Sequence, residues 1–472
     1  MVQIIVAFVS YIIALLSIAY LFSKKSKNSS EFILGGRSTN YWVTAVALQA
    51  SDMSHWLFLG VPGIIYTAGL FKIWEFIGLV LFMFLNWHFI APKLRRATEK
   101  FHAITLFSYF EKRFNDTSGI IRITAAIISL VFFTFYISSG LVALGRVFQL
   151  AFGLEYHLGI LVSLVTILIY TLFGGFLGVA WCDFFQGMFA VSMMALVSII
   201  AYTTVGGFEP AIHAADAKSL DLCLFPSSKS LWTIPALLLG WGPGYFGQPQ
   251  LLAFFMGIRD PKNIKYAKYI GLMWQIIILT AAVVVGLLGL AYFQNISGEM
   301  VFVALTKTLF TPLVAGFVLC AILAATLTTL DSQILASGSV LAEDLYKKLF
   351  KKEASSKKVL WISRMGALLI SLIALLMSIN NSSTIYELVN YAWSGMGSAF
   401  GPLVIMSLYS KKGNKYGALA GILVGAITSA VWPYIDTTIL PLLPGFILSF
   451  ITIYAVSHLT GGMQKTAIVN NQ

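Results

Sequence analysis

Two stretches decide how this chain folds. One is Ala50-Ser51-Asp52-Met53-Ser54-His55-Trp56, with Gly60-Val61-Pro62-Gly63 shortly after it; the other is Gly240-Trp241-Gly242-Pro243-Gly244-Tyr245-Phe246-Gly247-Gln248-Pro249. Each interrupts, with glycine, proline and polar side chains, a run that is otherwise apolar enough to cross a bilayer. In lipid every backbone amide and carbonyl must find a partner within the protein, so such a cluster marks a helix that opens around a cavity. The composition around them agrees: of 472 residues, 58% are hydrophobic and 11% charged, against about a quarter charged in soluble domains. So few charges cannot cover a water-facing surface, which excludes a soluble enzyme, a nucleic-acid binder, a coiled coil and a disordered scaffold. The net charge of +12 then reflects Lys and Arg gathered in cytoplasmic loops of a membrane protein, not nucleic-acid binding. Cys182, Cys223 and Cys320 are far apart and form neither a disulfide framework nor a metal-binding spacing.

A spanning helix takes roughly 20 mostly apolar residues, and cutting the chain at its charged loops gives about thirteen such segments. They run over 3–22, 41–70, 73–91, 119–147, 157–175, 181–205, 231–256, 268–291, 310–341, 359–379, 385–408, 415–433 and 439–459. The apolar runs are continuous rather than alternating, so they predict helices and not barrel strands. The first run, up to Phe22, is too long for a signal-peptide core and lacks a small-residue cleavage site before Lys24, Lys25 and Lys27. Those lysines place the first loop in the cytoplasm and the N-terminus outside. All but five of the 31 Lys and Arg agree, the exceptions being Lys72, Arg146, Lys218, Lys229 and Lys307; the tail with Lys465 is then cytoplasmic. The expected organisation is an N-terminal helix and loop (1–40), two helical units (41–205 and 206–408) and two final helices with a short tail (409–472).

The two interrupted spans are five apart, an odd number, so they run in opposite directions at the start of two five-helix units. Corresponding broken helices in inverted repeats point to the central site of a secondary transporter. Close packing is the other reading of Gly and Pro in a membrane helix. Three carboxylates lie within apolar runs: Asp52, Asp183 and Asp331. An ionised side chain there costs several kcal/mol unless compensated, and marks function by default. Near Asp331, residues Ala325, Thr328, Thr329 and Ser332 share one helix face at i, i+3, i+4 and i+7. A strip of hydroxyls and a carbonyl is hard oxygen chemistry suited to an alkali cation; equally, such hydroxyls bond their own i−4 carbonyls and join helices.

At these residues the chain resembles the sodium/solute symporter family, and within it is similar to the bacterial sodium/proline symporters. The resemblance rests on Ala50-Ser51-Asp52-Met53-Ser54, on Trp241-Gly242-x-Gly244-Tyr245-Phe246-Gly247-Gln248-Pro249 and on Glu343-Asp344-Leu345-Tyr346. It is extended by Leu34-Gly35-Gly36-Arg37-Ser38, Phe132-Phe133-Thr134-Phe135-Tyr136, Gly174-Gly175-Phe176-Leu177 with Trp181 and Asp183, and Tyr391-Ala392-Trp393-Ser394-Gly395, and runs from about Phe32 to about Leu408. It implies an all-α membrane protein with a LeuT-type core of two five-helix inverted repeats, one helix before and two after. It implies a bacterial inner-membrane transporter coupling sodium entry to uptake of a small amino acid such as L-proline. By position it implies a sodium site from the carbonyls of Ala50, Met53 and Ala325 and the hydroxyls of Thr328 and Thr329, with Asp52 the acidic residue linked to sodium. Tyr136, Trp241, Tyr245 and Pro249 would line the substrate cavity, with the opened backbone at Ser54, His55 and Trp56 offering N–H groups to a carboxylate.

Departures from the family pattern are His55 where glycine is usual, Pro243 where an apolar residue is usual, and Gln250 where histidine is usual. They leave open a different small organic acid, vitamin or sugar as cargo. Asp331 replaces a small neutral residue and, with Asp183, Thr328 and Ser332, points to a second cation or proton site, since two close buried carboxylates repel unless a cation or shared proton intervenes. A membrane enzyme or sensor is the remaining class. The six histidines are scattered one per segment, with no HExxH or GxSxG string, and the tail after Leu459 is short.

Overall fold

The computed structural model describes residues 2–23, 28–225, 232–350, 353–379, 385–436 and 439–461. Lys24, Lys25, Lys27, Lys229 and Lys465, used above for orientation, lie outside the described residues. Among the described residues all regular structure is helical; the nearest thing to a strand is one parallel bridge between Thr39 and Ile258.

In chain order the helices are α1 (Val2–Ser23), α2 (Ser29–Leu34), α3 (Tyr41–Asp52), α4 (Trp56–Ala68), α5 (Ile73–Leu85), α6 (Ala91–Lys100), α7 (Leu106–Arg113), α8 (Ile120–Val147), α9 (Tyr156–Val205), α10 (Glu209–Ala217), α11 (Thr233–Gly240), α12 (Pro249–Gly257), α13 (Ile264–Tyr292), α14 (Val301–Leu309), α15 (Pro312–Ser339), α16 (Lys347–Leu349), α17 (Ser356–Ile379), α18 (Ile385–Tyr409), α19 (Lys415–Val431) and α20 (Leu442–Leu459). Nine of the described elements are long and apolar enough to cross a membrane unaided, fewer than the thirteen spans expected. The physical reasons are local. The second and seventh expected spans are each divided by a break, into α3 with α4 and into α11 with α12. The fifth and sixth expected spans follow one another within α9 without a loop and are two helices that meet at Gly175, whose backbone is not helical (φ 56°, ψ −159°), where the fifth span was expected to end. Glycine adopts that positive φ without steric cost, so the helix turns and resumes with no loop. The eleventh, α18, is diluted by small and polar residues.

Both breaks fall where the sequence disfavours a helix. In the first, Met53 is extended (φ −89°, ψ 90°), and the amides of Leu57 and Phe58 bond the carbonyls of Ser54 and His55, passing over Met53. Ser and Asp side chains compete for backbone partners and weaken the helix here. In the second, α11 gives way at Trp241 to a tight 3-10 segment, Gly242–Gly247, Gln248 is extended, and Pro249 opens α12. Proline fits that first position because its missing N–H has no helical partner there. Gly244 is required by crowding: a Cβ would collide with the Trp393 indole of α18.

The far ends of the two half-helices are fastened together. Thr39 Oγ1 donates to Gly257 O at 2.7 Å, and Arg259 N donates to Thr39 O at 2.9 Å. Arg37 reaches Met256 O (2.8 Å) and Ala103 O (2.8 Å), while Arg95 reaches Ile258 O (2.7 Å). Burial, and then the neighbouring Arg95, brings the Arg37 guanidinium down to about 10, still a cation at neutral pH.

Candidate ion and substrate site at the helix breaks

The last three residues of α3 each engage a different element. The carbonyl of Ala50 accepts a hydrogen bond from Thr328 Oγ1 of α15 at 2.8 Å. The hydroxyl of Ser51 donates to Asp183 Oδ2 of α9 at 2.8 Å. The carboxylate of Asp52 accepts from Tyr245 OH of the 3-10 segment at 2.7 Å. One helix end thus joins both breaks to α9 and α15.

Thr328 and Thr329 Oγ1 also contact Ala325 O, at 3.0 and 3.2 Å. Ala50, Ala325, Thr328 and Thr329 therefore gather in one buried place, and the carbonyl of Met53, released by the break, lies on the same stretch of backbone. Both readings of the hydroxyl strip hold in part: the hydroxyls back-bond their own helix, and Thr328 also crosses to α3. The donor set is neutral, oxygen-only and desolvated, which fits a hard monovalent cation.

Tyr245 leads from the ion side to the cavity side. Its ring meets Trp393 edge to face at 5.2 Å, and Tyr136 of α8 lies close to both Tyr245 and Asp52. Trp241 is half-buried, with its carbonyl accepting from Trp393 Nε1 at 3.1 Å. Ser54 and His55 are buried, and Ser54 Oγ and His55 Nδ1 have no protein partner among the described residues; Trp56 beside them is half-buried. Unpaired polar atoms at depth are costly and mark a place for a polar guest. Pro249 and Gln250 border a cleft that continues past Ser332 and Ala336 to Thr105, Phe107 and Val340.

Asp183 and Asp331 are wholly buried neighbours. Each has one oxygen held by a hydroxyl, Ser51 for Asp183 and Tyr170 (2.8 Å) for Asp331. The other oxygen of each lacks a donor among the described residues. Thr328 and Ser332, expected beside them, turn elsewhere: Thr328 to Ala50 and Ala325, Ser332 to Thr329 O at 3.0 Å. Residues the sequence reading did not single out complete the surroundings. Tyr170 and Ser51 hold the carboxyl pair; Trp393 meets Tyr245 edge to face; Gln248 donates from Nε2 to Trp393 O (3.1 Å) and accepts on Oε1 from Gln250 Nε2 (3.3 Å). Their signal was weak, because Tyr170 and Ser51 resemble ordinary packing residues until their partners are known.

A second polar centre lies at the other end of α8. Arg122 donates from Nε to Asp344 Oδ1 at 2.6 Å and from Nη1 to Glu111 Oε2 at 3.0 Å, with Glu343 at 3.9 Å. Thr105 Oγ1 adds a bond to Asp344 at 2.7 Å, and Lys348 pairs with Glu111.

The chain is matched over residues 32–425 by the model of the sodium:solute symporter family. It is 42% identical to the osmoregulated proline transporter OpuE of Bacillus subtilis, over 97% of this chain and 95% of that protein. It is 40% identical to the high-affinity proline transporter PutP of the same organism, over 94% and 96%. With the sodium/proline symporter of Escherichia coli it shares 38% identity over 98% and 94%. Among solved structures, it superposes on the substrate-bound, outward-open state of a sodium-coupled sialic acid symporter with a TM-score of 0.84, at 21% identity over 98% of this chain and 99% of that one. Mhp1, a nucleobase-cation-symport-1 transporter, gives a TM-score of 0.58 at 14% identity over 92% and 93%. This chain, an all-α integral membrane protein of LeuT-type fold, belongs to the sodium:solute symporter family.

Proposed function

We propose that this protein is a secondary transporter that couples inward sodium movement to uptake of L-proline by alternating access. The observation that carries this reading is the convergence at Ala50, Ser51 and Asp52, where a cation-ready oxygen set and an aromatic cavity share one helix end. The names of the relatives, two proline transporters and a sodium/proline symporter, support the cargo.

In this reading sodium is held by the carbonyls of Ala50, Met53 and Ala325 and the hydroxyls of Thr328 and Thr329. Asp52 supplies one nearby negative charge, raising cation affinity without the desolvation cost of several carboxylates. Proline packs against Tyr136, Trp241, Tyr245 and Pro249, its carboxylate facing the opened backbone of Ser54, His55 and Trp56. Sodium draws α3 onto α15 and sets the backbone that receives the substrate; by linkage, substrate strengthens sodium binding equally. Residues 41–205 and 206–408 form the two inverted repeats. Asp183 and Asp331 hold a second cation or a shared proton, which relieves the repulsion between them. The protein sits in the bacterial inner membrane with its N-terminus outside and its C-terminus in the cytoplasm.

The deciding experiment is L-proline uptake into proteoliposomes, with and without an inward sodium gradient, beside Asp52→Ala. Accumulation that needs the gradient and disappears in the variant is the expected result. Gradient-independent uptake removes sodium coupling. Sodium-dependent stabilisation by another small carboxylate, without proline uptake, changes the cargo and keeps the coupling.

A further inference from the structure

Arg364, in the ninth position of α17, is a cation in a membrane helix that pairs with no carboxylate of the described residues. It donates no hydrogen bond to any of them, and its Nε is buried and unsatisfied. What it touches is aromatic: the guanidinium carbon lies 5.8 Å from the centre of the Phe32 ring of α2 and 5.9 Å from that of Phe173 of α9. A guanidinium has five N–H donors and keeps its charge, so in a membrane seam where the described residues offer it no acceptor it suits an anionic guest.

The surroundings specify that acceptor. Lys357, Trp361 and Arg364 stand at i, i+4 and i+7 and share one face of α17. Lys357 is exposed and Trp361 is 61% exposed, as an interfacial anchor is. Helical side chains lean toward the helix N-terminus, so Arg364 reaches back toward the lysine-bearing end instead of toward the bilayer centre. Ser356 Oγ accepts from Ser29 N at 2.9 Å, closing the seam between α17 and α2. A guanidinium whose ring contacts take none of its N–H groups keeps them for an oxyanion, and its fork matches two oxygens of one phosphate.

We propose that Arg364, with Lys357 and Trp361, binds the phosphate of an anionic phospholipid at the seam of α17, α2 and α9. The lipid joins three elements that border the working parts of the fold. Phe173 precedes the kink at Gly175, and Ile33 and Phe176, close in sequence to the two aromatic partners, line the long cleft.

The test is native mass spectrometry of the full chain in detergent with phosphatidylglycerol, phosphatidylcholine or inorganic phosphate. Wild type should retain phosphatidylglycerol over phosphatidylcholine, and Arg364→Gln should retain it roughly tenfold less well, the loss of a charge-assisted hydrogen bond. Arg364→Lys keeps the charge and serves if the glutamine variant does not fold; it should retain the lipid less well than wild type, because an ammonium cannot make two parallel bonds. Equal retention by the folded variants and wild type would overturn the site. Displacement of the lipid by inorganic phosphate would overturn the lipid as its occupant.

Discussion

Two sets of carboxylates are buried in this protein, and they are treated in opposite ways. Asp344 and Glu343, near the end of α15, meet Arg122, which also holds Glu111, and lysines pair with Glu111 and Glu343. Asp52, Asp183 and Asp331 are as deeply buried, yet the side chains that donate to them are the hydroxyls of Tyr245, Ser51 and Tyr170, and no cation of the described residues pairs with them. Where a charge is structural, the chain supplies its own counter-charge. At the helix breaks it supplies none, and a cation or proton from solution has a place to act.

The contrast makes quantitative demands. Arg122→Ala leaves Asp344 buried and unpaired, and should cost about 3–5 kcal/mol, read as a lower melting temperature in detergent. Adding Asp344→Leu should recover most of that loss, and a single variant that melts like wild type would end the contrast at its structural side. Asp52→Asn keeps an acceptor for Tyr245 but removes the charge; sodium-driven uptake should fall roughly 10- to 100-fold with little change in melting. A melt as poor as that of Arg122→Ala would make Asp52 structural instead. Tyr245→Phe removes one donor to Asp52 and should weaken sodium activation by about 1 kcal/mol, roughly fivefold, in uptake titrations. Asp331→Asn should leave stability within about 0.5 kcal/mol of wild type, because it removes a repulsion as well as a hydrogen bond. It should nonetheless change sodium stoichiometry or the pH dependence of uptake, and if both stay as in wild type the second site is abandoned.

Much of this was legible in the chain. The breaks at Met53 and at Gly242–Gly247 were visible because glycine, proline, serine and aspartate act on the backbone within a few residues of themselves. The strip of Ala325, Thr328 and Thr329 was visible because a helix repeats. The pairs Ser51 with Asp183 and Tyr170 with Asp331 were not, since they join positions 132 and 161 residues apart and depend on how helices pack. Arg122 was hidden differently: it stands in the first turn of the expected span 119–147, and Lys and Arg were counted only for orientation, a tally that carries no information about pairing. The division of α9 at Gly175 was legible, since the fifth expected span ends at that glycine.

The fastening of Thr39 to Gly257 and Arg259 has a mechanical meaning. Two levers, each pivoting at its own break, are yoked at their free tips. Neither tip can swing away alone without breaking those bonds, so a movement begun at one pivot takes the other lever with it.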